Sequence, residues 1–84
     1  MQIYSPANGK TRRADPEWFT GTVWQDPIID APDPARVQAV RVSFGPGART
    51  AWHTHPLGQT LHVLAGVGRV QKWDGSVHEI RAGD

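Results

Sequence analysis

The chain has 84 residues, enough for one domain, and a chain of that size buries only roughly 60 to 70% of its unfolded surface. Its 38% hydrophobic content is too rich for disorder, and nine Lys and Arg against eight Asp and Glu leave a net charge of +1. Apart from Arg12 and Arg13 the basic residues are scattered, so no nucleic-acid or membrane surface is expected. Cysteine is absent, which excludes disulfides and thiolate metal sites.

The opening MQIYSPANGKTRR lacks the apolar run of a signal peptide, and no stretch approaches the ~18 apolar residues of a membrane span, so a cytoplasmic location is expected. Residues 1–17 show no periodicity and read as an N-terminal arm that orders only by docking. WFTGTVWQD then carries strand-forming residues. In DAPDPA, from Asp30 to Ala35, two prolines block helix and ladder bonding alike, and the segment reads as an extended linker.

In VQAVRVSF the residues Val40, Val42 and Phe44 alternate with Arg41 and Ser43, the period of two of a half-buried strand. GPG turns the chain, AWHTH reads as a strand ended by Pro56, and PLG turns it again. QTLHVLAG alternates with Gln59, Leu61 and Val63 on one face. VGRVQKW and SVHEIR meet through Asp74 and Gly75, a strong hairpin signal. No amphipathic helix or repeat is found, and about six short strands at regular spacing predict an all-β sandwich or barrel.

His53 and His55, two apart on a strand, leave the same face with Cα atoms roughly 6.5 to 7 Å apart, so two imidazoles can converge on one ion. The turn at Pro56 to Gly58 brings the next strand back alongside, and Gln59, if its face matches, offers an amide oxygen to the same point. An isolated pair of this kind is as readily a surface or hydrogen-bonded core pair as a metal site. His62 points away from the Gln59 and Leu61 face, and His78 lies just past a hairpin tip, so both read as solvated strand histidines.

The wider pattern is more specific. Gly47, His53, His55, Gln59 and Gly66, at these intervals, resemble the first motif of the cupin superfamily, with Gln59 where the family usually has Glu. From about Trp18 onward, WFTGTV, APDPA and PGARTAWHTHPLGQTL look like the small bacterial single-domain cupins that include the manganese-dependent hydroxynitrile lyases. The resemblance implies a cupin-type jelly-roll β-barrel and a divalent metal held by His53, His55 and Gln59. Manganese is expected, with iron, zinc and nickel as alternatives. It also implies a homo-oligomer, dimer or tetramer, that cleaves or forms cyanohydrins, with a small carbonyl or cyanohydrin as partner.

The second cupin motif normally adds another histidine ligand, but here RAGD reaches Gly83 and the sequence ends at Asp84. Residues 18–84 therefore read as the N-terminal part of a single cupin domain, truncated before its C-terminal strands, and a fragment is expected rather than a site completed by a partner chain.

An amide in place of a carboxylate leaves the metal's double charge uncompensated, which for an anion about 5 Å from the lost charge is worth about 3 kcal/mol at an effective dielectric near 20. Such a metal acts as a Lewis acid on a substrate oxygen. Val40, Val42, Phe44 and Leu61 would give the pocket apolar walls, and Thr50 a hydroxyl for a substrate oxygen or for its own backbone. No general base is visible. The competing functions are an iron dioxygenase or isomerase, since histidine ligands with open positions also suit Fe(II), and a non-catalytic small-molecule-binding module.

Overall fold

A computed structural model describes Met1, Ile3 and residues 10–84; of the expected arm, positions 2 and 4–9 lie outside the described residues. The described residues form seven strands: β1 Arg12–Arg13, β2 Phe19–Thr20, β3 Val23–Asp30, β4 Gln38–Phe44, β5 Arg49–Thr50, β6 Val67–Gln71 and β7 Val77–Arg81. Every pairing is antiparallel, as the all-β reading expects. No helix among them is long and apolar enough to cross a membrane. The chain divides into two compact units, Met1–His53 and Thr54–Asp84.

The first unit is built on the sheet β1-β3-β4 and the two-stranded pairing β2-β5. Val23 faces Phe44, Gln25 faces Val42 and Pro27 faces Val40 across the β3–β4 ladder, with a register shift between Pro27 and Ile29. Residues directly opposite in an antiparallel pair share a face. One face therefore carries Val23, Phe44, Gln25, Val42, Pro27 and Val40, and Arg12 of β1 joins it opposite Gln25. The alternation read for 40–44 is thus a real two-sided strand.

Asp30 to Ala35 departs from the expected linker. Strand β3 runs through Asp30, and the amide of Ala31 donates to the Val37 carbonyl at 3.0 Å, so 31–37 is the loop of a β3–β4 hairpin. The prolines prevent ladder bonding only where they sit. Part of the N-terminal stretch is paired too, with Arg12 opposite Gln25 and Arg13 opposite Trp24.

In the second unit β6 and β7 form the expected hairpin, Gln71 facing Val77 and Val67 facing Arg81. Asp74 takes the left-handed conformation at φ 63°, and the Gly75 amide donates to the Lys72 carbonyl at 2.9 Å. The strands expected at AWHTH and QTLHVLAG do not form ladders: 51–64 contains no strand among the described residues. An extended pattern makes a strand only where another backbone accepts its hydrogen bonds. Among the described residues of 51–64, only Ala51, whose amide donates to the Trp18 carbonyl, and Val63, whose amide donates to the Asp84 carbonyl and whose carbonyl accepts from Gly83, are so matched with a distant segment.

Burial is sparse. Of the described residues only Ala14 and Val23 are buried, whereas Phe44 and Val40 keep about half their surface.

Candidate functional site

Val40, Val42 and Phe44 stand in a row on one face of β4, as the alternation predicts. Val42 is half-buried, and Phe44 stands directly opposite Val23, which is 1% exposed. The opposite face is ionic. There the Thr11 hydroxyl donates to Asp26, and Arg41 lies 3.4 Å from the same carboxylate; together they hold the Asp26 carboxyl below its usual range. Asp26 and its partners thus belong to the side away from Val40, Val42 and Phe44.

Thr50 sits on β5 directly across from Phe19. The pairing is extended by the Ala51 amide, which donates to the Trp18 carbonyl at 2.7 Å. Phe19 in turn touches Phe44, with ring centroids 6.2 Å apart and planes tilted by 53°. Phe44, Phe19 and Thr50 are therefore one cluster. Phe19 and Gln25 were not among the residues expected from sequence, because their places follow from strand pairings between distant segments.

His53 closes the first unit. Its Nδ1 donates to the Ala51 carbonyl at 2.7 Å, which makes Nε2 the nitrogen with the lone pair. That arrangement, a ring fixed through Nδ1 by a backbone carbonyl, is the usual support of a metal-ligating histidine. His55 and Gln59 lie in the second unit, on either side of a turn in which the Gly58 amide donates to the His55 carbonyl at 3.1 Å. Pro56 suits the first central position of that turn. Leu61 follows in the segment without ladder pairing, 62% exposed.

His62 is exposed, and His78 stands on β7 opposite Val70 with Nε2 3.4 Å from the Ser76 hydroxyl. Among the described residues no three His, Asp or Glu gather into a group that could hold a metal. The set His53, His55 and Gln59 contains only two such residues, and its donor chemistry, two imidazoles and an amide oxygen, fits a divalent ion of intermediate softness.

Comparison with known proteins places the chain in a family. The profile of the family described as the cupin domain matches residues 40–84, more than half of the chain. The chain is 57% identical over 83 residues to an (R)-mandelonitrile lyase of Granulicella tundricola, covering 99% of this chain and 61% of that relative. It thus spans about three-fifths of the length of the relative it matches.

Proposed function

The chain belongs to the cupin family, and from that premise we propose that it serves a divalent-metal lyase that cleaves or forms cyanohydrins. The observation that carries the proposal is its 57% identity, along nearly its whole length, to a mandelonitrile lyase. His53 and His55, through imidazole nitrogen, and Gln59, through its amide oxygen, would hold the ion, manganese first and iron, zinc or nickel as alternatives. When bound, the ion supplies Lewis acidity toward the substrate oxygen.

The chain's own residues do the rest of what can be assigned. The Ala51 carbonyl fixes the His53 tautomer. Gln59, being neutral, spares an anionic group the repulsion that a carboxylate would impose. Val40, Val42 and Phe44, with Leu61, would offer apolar walls that exclude water, and the Thr50 hydroxyl would donate to the substrate oxygen. In cleavage the bond between carbinol carbon and nitrile carbon breaks, its electron pair leaves with cyanide, the hydroxyl oxygen becomes the carbonyl oxygen, and the hydroxyl proton ends on cyanide.

A cytoplasmic setting and a homo-oligomeric state, dimer or tetramer, belong to the same proposal. The absence of cysteine and the exposed Trp18, Trp24 and Trp73 support it.

The test is mandelonitrile cleavage, followed by benzaldehyde release, with manganese, iron and zinc in turn. It is measured on this chain and on a chimera in which the remaining two-fifths of the relative continue it. The proposal expects benzaldehyde and cyanide from the chimera with manganese and without dioxygen. Turnover that requires iron and dioxygen, or no turnover by the chimera under conditions where the relative itself is active, would overturn it.

A further inference from the structure

We propose that Phe19 is a specificity-determining residue: with Phe44 it forms an aromatic wall, and with Thr50 a paired ring and hydroxyl, which together select substrates whose carbinol carbon bears an aryl group. The inference rests on the lyase reading and deepens it by naming a residue that reads the aryl group of such a substrate.

The two rings are held from different parts of the chain. Phe44 ends β4 opposite the buried Val23, and half of its surface is still accessible. Phe19 meets it at 6.2 Å with planes tilted by 53°, within the centroid range of interacting aromatic pairs, and Phe44 keeps half of its surface for a further aromatic group. The backbone around Phe19 is pinned on both sides: the Trp18 carbonyl accepts from the Ala51 amide at 2.7 Å, and the Thr22 carbonyl from Gly45 at 2.8 Å. Phe19 is thus a fixed wall rather than a mobile surface ring.

Directly across the ladder stands Thr50. Residues so paired have Cβ atoms roughly 4.5 to 5.5 Å apart, and their side chains leave the same face. In an aryl cyanohydrin the carbon bearing the hydroxyl is bonded directly to the ring, so aryl group and oxygen are separated by a similarly short span. A substrate that lays its ring against Phe19 and Phe44 brings its oxygen within reach of the Thr50 hydroxyl. An alkyl substrate of equal size fills the same space without the ring–ring attraction. Such a contact corresponds to a preference of about 2-fold to 13-fold.

The experiment compares kcat/KM for the cyanohydrins of benzaldehyde and of cyclohexanecarbaldehyde, which differ in aromaticity more than in size, using the chimera described above. The unmodified protein should favour the aryl substrate by about 2-fold to 13-fold. Phe19→Leu and Phe19→Met should each bring the ratio close to unity, while Phe19→Tyr retains it. Two apolar replacements are used so that a folding defect in one leaves the other to decide, and thermal melting identifies which. A packing role would lower stability or lower both kcat/KM values together, without moving their ratio. An unchanged ratio in the folded leucine or methionine variant would overturn the assignment of Phe19 alone. Cleavage of neither cyanohydrin by the unmodified chimera would overturn the lyase reading, and this inference with it.

Discussion

Two glycines in the first unit provide a controlled test of how closely its parts approach. Gly21 and Gly47 both adopt left-handed backbone, at φ +84° and +76°, so alanine at either carries the same conformational cost of roughly 1–2 kcal/mol. They differ in surroundings. A Cβ at Gly21 would lie 3.0 Å from both Cα and Cβ of Ala48, whereas a Cβ at Gly47 would meet nothing within 4 Å. Ordinary carbon contacts fall at about 3.5–4.0 Å, and Ala48 cannot swing aside because its amide is tied to the Gly45 carbonyl at 3.0 Å. Overpacking of this kind costs about 2 kcal/mol, which at about 4–8 °C per kcal/mol predicts that Gly21→Ala melts about 8–16 °C below Gly47→Ala. Both would be measured by tryptophan fluorescence in a Trp73→Phe background, so that Trp18, Trp24 and Trp52 report the first unit. Equal melting temperatures would refute the close approach of the β2–β3 turn to Ala48, and with it the placement of Phe19 beside Phe44.

On the chimera, His62→Ala and His78→Ala should leave metal content unchanged, measured by elemental analysis after purification from manganese-supplemented culture. Gln59→Glu should retain metal, or bind it more tightly, yet lose most lyase turnover; unchanged turnover would remove Gln59's neutrality from the mechanism. The Asp26 carboxyl is held low by Thr11 and Arg41, so their stabilisation is complete above its ordinary value of 3.8 and fades as pH falls through the lowered value. The difference in urea midpoint between wild type and Asp26→Asn should therefore shrink on acidification below about pH 4, and a difference that grows would contradict the contact.

The contrast between strand pattern and pairing shows what a sequence can carry. Val40, Val42 and Phe44 share a face because alternation is a local property, and the β6–β7 hairpin follows from the left-handed tolerance of Asp74 and the freedom of Gly75. Pairing between distant segments is not local. Phe19 opposite Thr50 is invisible in WFTGTV, so the aromatic cluster emerges only from the three-dimensional arrangement. The same reasoning explains the opposite error at AWHTH and QTLHVLAG: their residues favour extended backbone, but a ladder needs a second strand, and among the described residues of these segments only Ala51 and Val63 bond to a distant backbone. The spacing of His53, His55 and Gln59 was legible because the motif is compact. The Nδ1 bond from His53 to Ala51 was not, because it depends on a bend at Trp52 that no alternation rule supplies.

The central claim is that His53 and His55 ligate a divalent metal on which cyanohydrin cleavage depends. The measurement that tests it most directly is metal stoichiometry, by elemental analysis, of the chimera and of its His53→Ala and His55→Ala variants, each confirmed folded by circular dichroism. The account predicts close to one manganese per chain in the unmodified protein and near-zero occupancy in both variants. Full occupancy in either folded variant would contradict it.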